Sequence, residues 1–163
     1  MNATQSDTAK LWADVKEKTQ KQKEGFKDGM REAQEKILPC LKQLKGKSLN
    51  FSEYWKIGAE KLTEAFADHV GVLKACRKRG IKSMLDIRSV RLCVGGSLSL
   101  IYAHDFEGRT PKIDDSRDLQ HAVLSAASDA FVTHDGKFTR LAARIPIDNF
   151  EVMDLRGLLQ QLG

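Results

Sequence analysis

A chain of 163 residues with 41% hydrophobic residues is long enough for one ordinary domain with its own core, which argues against a disordered chain and against a multi-domain layout. Its 27 Lys and Arg against 22 Asp and Glu leave a formal charge of +5, a modest basic excess that is compatible with nucleic acid without demanding it. Cys40, Cys76 and Cys93 form no CxxC pair and read as reduced, mostly buried thiols; with a polar stretch at 1–10 and no apolar run approaching a membrane span, the expectation is a soluble, cytoplasmic protein that does not engage a membrane.

From residue 9 to about 44, Leu11, Val15, Phe26, Met30, Ala33, Ile37, Leu41 and Leu44 supply the apolar face of an amphipathic helix, the last six at spacings of three and four. Pro39 lacks an amide hydrogen and clashes with the carbonyl four residues back, so a kink or break is expected near Leu38. The opposite face, dense in Lys, Gln and Glu, reads as solvated. After a connector at 46–48, Asn50 followed by Glu53 fits a capping box opening a second helix, with Phe51, Trp55, Leu62, Phe66, Val70 and Leu73 facing inward and its end at Arg79-Gly80.

Lys74, Arg77, Lys78 and Arg79 suit the negative end of that helix, and Lys82, Arg88 and Arg91 extend the positive field, so these seven are also candidate contacts to a phosphate backbone. Residues 81–103 lean towards helix. Gly95-Gly96 is not a phosphate loop, since the Lys at the required spacing is absent; it reads as a place where two backbones pack closely. Gly108 and Pro111 make 106–112 a loop.

Asp115-Ser116 then caps a helix with Leu119, Ala122, Val123, Ala126 and Ala127 on one narrow face, Ala130-Phe131-Val132-Thr133 forms a short strand, and His134-Asp135-Gly136 turns into a helix at 137–143. A second strand at 150–153 and a last helix opened by Asp154 complete a helix, strand, helix, strand, helix order, the pattern of a parallel α/β sheet. The organisation is one domain over 1–163: a charged amphipathic helical region at 1–48, a helical middle at 49–113 and an α/β closing segment from 114 to the end.

Ligands of open parallel sheets bind beyond the carboxyl ends of the strands, where Asp135 falls. Asp118, expected in the first turn of the preceding helix, can reach the same edge, and two such carboxylates suit Mg²⁺ or Mn²⁺. The structural reading of each acid stands beside this: Asp118 as the acidic residue of a capped helix, and Asp135 as an Asx turn. Spacings of the four histidines and three cysteines give no zinc site.

Asp118-Leu-Gln-His121-Ala122, the alanine-rich helix after it, and Asp129-Ala-Phe-Val-Thr133-His-Asp135 with Phe138 together resemble the closing motif of PIN-like domain nucleases, over roughly residues 114–162. The resemblance implies an α/β fold, a PIN-like parallel sheet with flanking helices, here after a predominantly helical N-terminal half and with the sheet incomplete. It also implies a metal-dependent nuclease, an endoribonuclease acting on RNA, with Mg²⁺ or Mn²⁺ held by Asp118 and Asp135, and with Thr133 and His121 in the pocket. The family's opening hydrophobic strand ending in Asp has no counterpart, and its middle acid falls on Glu53, Glu60 or Glu64 without a choice among them. The chain is then expected to be the C-terminal part of a longer protein, a domain with a replaced ligand, or one that has lost catalysis. An exposed sheet edge would favour a homodimer or a companion chain supplying the missing strand. The competing expectation is a non-catalytic nucleic-acid- or protein-binding module using the basic helical half.

Overall fold

The computed structural model describes residues 5–41, 48–69, 71 and 73–163. They form a mainly helical body with one small parallel sheet, and no helix among them is long and apolar enough to cross a membrane. The first helix, α1 (Gln5–Leu41), passes through Pro39, so it does not break at Leu38. Ala33 and Ile37 are buried in its last part, while Val15 is exposed; the side chains of Leu11, Phe26, Met30 and Leu41 lie outside the described residues, as does all of Leu44. Ion pairs four residues apart, Glu17 with Lys21 and Glu32 with Lys36, keep its outer face in water.

Helix α2 (Phe51–His69) begins at the expected capping box: the Asn50 N–H donates to Glu53 Oε2 and the Glu53 N–H donates to Asn50 Oδ1, both at 3.0 Å. It does not run on to Gly80. It ends at His69, and after Gly71, at φ +70°, a separate short helix α3 (Leu73–Lys78) carries Lys74, Arg77 and Lys78. Val70 and the side chain of Leu73, expected to face inward, lie outside the described residues. Gly80, at φ +72°, does close α3 as a left-handed cap.

Central to the body is α4 (Arg88–Glu107), entered through a 3₁₀ turn at Met84–Asp86 and buried on opposite sides. It runs through Phe106 and Glu107, two residues into the expected loop, and stops at Gly108 in the left-handed conformation. One side of α4 contributes Val94, Leu98 and Ile101 to a core with Ile37, Tyr54 and Leu62. There the rings of Phe51, Tyr54, Tyr102 and Phe106 pack mainly edge to face, and the Tyr102 hydroxyl donates to the Leu49 carbonyl at 2.8 Å. Its other side sends Leu92 into a second core with Leu119, Ala122, Phe138, Ala142, Ile145 and Phe150.

Gly95 and Gly96 make that second contact close, as their pairing in the sequence suggests: a Cβ on Gly95 would stand 2.5 Å from Ile145 Cγ2, and one on Gly96 would overlap the end of Leu119. Against this side lie α5 (Ile113–Leu124), β1 (Ala130–Val132), α6 (Gly136–Ala142), β2 (Glu151–Met153) and α7 (Leu155–Leu162), in the expected alternating order. The strands are parallel with Ala130 opposite Glu151 and Val132 opposite Met153. Asp154 caps α7 by accepting the Gly157 N–H at 2.7 Å. On α7, Leu155, Leu159 and Leu162 form an exposed apolar stripe.

Candidate active site

Helix α5 starts three residues earlier than expected, and its cap works in reverse. Lys112 holds the N-cap position without a capping side chain, and Asp115, in the third helical position, reaches back to accept the Lys112 N–H at 2.7 Å. Asp115 is only 3% exposed, and its other oxygen is paired with Arg109. Asp118 is consequently in the second turn rather than the first, one turn beyond the buried pair. Of its expected apolar face, Leu119 and Ala122 are buried and Val123 is half-buried; Ala126 and Ala127 fall past the helix end.

Asp135 sits just past the carboxyl end of β1 and caps α6. Its Oδ1 accepts the N–H of Lys137 at 2.7 Å and of Phe138 at 3.1 Å, while its own N–H donates to Thr133 Oγ1 at 3.1 Å. Oδ2 keeps no hydrogen bond among the described residues. Those two amides, the Phe138 N–H foremost, together with the charges of Arg109 and Lys137, hold the Asp135 carboxyl below the ordinary carboxylate range.

Asp118 behaves oppositely. Burial pushes its carboxyl up, the charge of Asp135 adds to the rise, and His121, one turn further along α5, opposes it. Asp118 therefore feels the charges of Asp135 and His121, while Thr133 accepts the N–H of Asp135 just past β1. Among the described residues, no group of three or more His, Cys, Asp and Glu side chains is placed to hold a metal ion. Glu53 is engaged in the α2 capping box, Glu60 accepts from Ser83 Oγ at 3.2 Å, and Glu64 lies 4.0 Å from Arg77, so none of the three joins the pair.

The seven basic candidates divide. Lys74, Arg77, Lys78, Arg79 and Lys82 are exposed on and after α3. Arg88 and Arg91 are fold staples: Arg88 Nη1 donates to the carbonyls of Ala126 and Ser128 at 3.1 and 3.0 Å, and Arg91 donates to those of Leu85 and Pro146 at 2.6 and 3.1 Å. A nearer set of cations escaped the sequence reading. Arg109, Lys137, Arg140 and Arg144, with Glu107 and Leu141, line a cleft of about 300 Å³ that adjoins Asp135 through Lys137 and Arg109.

The opposed shifts of the two acids give opposite pH signatures in metal-free buffer. Asp135, with its folded value lowered, contributes stability that is present above the unfolded carboxylate value and lost as pH falls through the folded one; Asp118, with its value raised, contributes stability that is present below the unfolded value and lost as pH rises through the folded one. Asp135→Ala should accordingly cost about 1 kcal/mol at neutral pH through the lost cap, whereas Asp118→Asn should leave stability equal or higher. Urea unfolding in EDTA measures both, and a destabilised Asp118→Asn would mean that this acid serves the helix rather than a ligand.

No family model, no curated protein and no solved structure matches this chain.

Proposed function

We propose that the chain is a PIN-like, Mg²⁺- or Mn²⁺-dependent phosphodiester hydrolase that cuts RNA as an endoribonuclease, with Asp118 and Asp135 as its metal-holding acids. What supports this reading is that Asp118 feels the charge of Asp135, which sits just past β1 with its Oδ2 unengaged among the described residues. Like charges that feel one another are unfavourable for a fold, and a divalent cation relieves that repulsion. Hard carboxylate oxygens suit Mg²⁺ and Mn²⁺ by type, and Mg²⁺ is commonly held by one or two carboxylates with water and substrate phosphate completing its shell. The metal would polarise a phosphoryl oxygen and generate the attacking hydroxide from water. The protein's own part is orientation: the α6 cap fixes the Asp135 carboxylate, and Thr133 and His121 flank the pair with groups able to hydrogen-bond water.

Two acids are few for such a site. The edge of β1 away from β2 carries no strand among the described residues, which suits a second copy of the chain, or a companion chain, adding a strand and a further acid. The three cysteines are free and half-buried, which suits a reducing cytoplasm. The absence of a third ligand among the described residues favours one other reading, a non-catalytic nucleic-acid- or protein-binding module.

Cleavage separates the two. Single-stranded RNA incubated with the protein and Mn²⁺ should be cut internally, EDTA should stop the reaction, and Asp118→Asn and Asp135→Asn should each abolish it while staying folded, since Asn at 135 still caps α6 and Asp118 caps no helix. RNA left intact by folded protein at millimolar Mn²⁺ removes the nuclease reading and leaves the binding module.

A further inference from the structure

The cleft at the junction of α4 and α6 is lined by four cations, Arg109, Lys137, Arg140 and Arg144. Only two are neutralised. Arg144 pairs with Glu107 at 2.8 Å and Arg109 pairs with the buried Asp115, whereas Lys137 and Arg140, both exposed, form no ion pair among the described residues. Arg144, whose guanidinium lies 5.7 Å from the centre of the Tyr102 ring, also keeps one nitrogen buried without a hydrogen-bond partner among the described residues. Surface lysines that point at random into water need no explanation. Lys137 and Arg140, beside two cations already paired, leave the concavity positive despite the Glu107 carboxylate in its lining, and a bound anion offsets that charge.

From this arrangement we infer that the cleft is a phosphate-binding site for single-stranded RNA, with Lys137 and Arg140 as the contacting residues and Arg109 and Arg144 as its fixed walls. The volume, about 300 Å³, is at the small end of ligand clefts and suits a backbone phosphate with its sugar rather than a duplex. Guanidinium groups hold phosphate oxygens in bidentate fashion, and a lysine adds a point charge. Lys137 is two residues from Asp135, so a phosphodiester seated here would lead the strand directly past the acid pair. That last step rests on the nuclease reading, but the binding itself does not.

The inference moves the nucleic-acid contact away from α3. Binding of a short fluorescein-labelled oligouridylate, followed by anisotropy in EDTA over a salt series, tests it without any chemistry. Lys137→Ala/Arg140→Ala should weaken binding roughly tenfold or more and reduce the slope of log affinity against log salt by about 1.4, roughly 0.7 for each lost contact to a single strand. Arg140→Gln alone should reduce it by about 0.7, and far-UV circular dichroism checks that both variants fold. An absence of binding by the unaltered protein, or a slope unchanged in the double variant, overturns the site. So does loss of binding in Lys74→Ala/Lys78→Ala while the cleft variant binds normally. Binding that depends on the cleft without any cleavage in Mn²⁺ would leave this site standing and remove the nuclease reading alone.

Discussion

Asp115→Ala is expected to destabilise the protein by about 3 kcal/mol, the lower end of the cost of breaking a buried ion pair. Asp115 is 3% exposed and accepts from two directions, from the Arg109 guanidinium and from the Lys112 N–H. Truncation leaves the first donor charged and poorly solvated and the second without the acceptor that closes the start of α5. The Arg109 side chain retains 24% exposure, so water compensates part of the loss, which sets the estimate at the lower end rather than the upper. Arg109→Ala should cost at least as much, because it strands the more deeply buried partner. Asp115→Asn keeps both acceptor contacts without the charge and should fall between wild type and Asp115→Ala. Thermal unfolding is the measurement, with a loss of about 3 kcal/mol lowering Tm by roughly 6–12 °C at this size. A shift under about 2 °C for Asp115→Ala would show that the pair is only a surface ion pair, worth little. This pair ties the start of α5 to the segment leaving α4, which is how Asp118 and the cleft come to share one end of the molecule.

Asp115 also shows why part of this fold was legible and part was not. Features set by neighbours in the chain could be read directly: the Asn50 and Glu53 box, the Asp154 and Asp135 caps, the left-handed Gly80, and the alternation of α5, β1, α6, β2 and α7. The start of α5 misled because the sequence favours Asp115 as a forward-reaching cap, while the Arg109 contact, set by the turn after α4, draws it back to the third position. Gly71 sits inside a helical pattern, and one glycine there is tolerated often enough that its left-handed role was not visible. Arg88 and Arg91 looked like part of a charge run because their carbonyl partners, at Ala126, Ser128 and Pro146, lie 38, 40 and 55 positions away. The cleft was hidden for the converse reason. Arg109 precedes Lys137, Arg140 and Arg144 by a whole helix and strand, so no local run of charge announces them. That Asp118 feels the charge of Asp135 was the most readable element of the candidate site, since a helix preceding a strand and a residue following it can approach one sheet edge.

Gly95→Val should destabilise the protein by about 3 kcal/mol through overpacking, near the top of the usual range for added bulk in a filled core. A Cβ at residue 95 already stands 2.5, 3.0 and 3.2 Å from Cγ2, Cγ1 and Cβ of Ile145, and the methyls of valine extend further. Ile145 is 6% exposed, and its branched Cβ gives it few rotamers into which to retreat. Intrinsic helix preference runs the other way, since valine is a slightly better helix former than glycine, so a loss measures the contact and not the backbone. Ile145→Ala alone should cost about 2–5 kcal/mol by leaving a cavity. The two together should cost clearly less than their sum, because the truncated side chain vacates the space that the valine needs. Costs that simply add in urea unfolding would mean that α4 can shift away from the segment after α6. If α4 is held there, the same close approach fixes α6, and with it Asp135, Lys137 and Arg140, against the central helix. Gly95→Val should then also weaken RNA binding at the cleft, and the double variant should recover it, which ties the packing of one glycine to the geometry of the cleft.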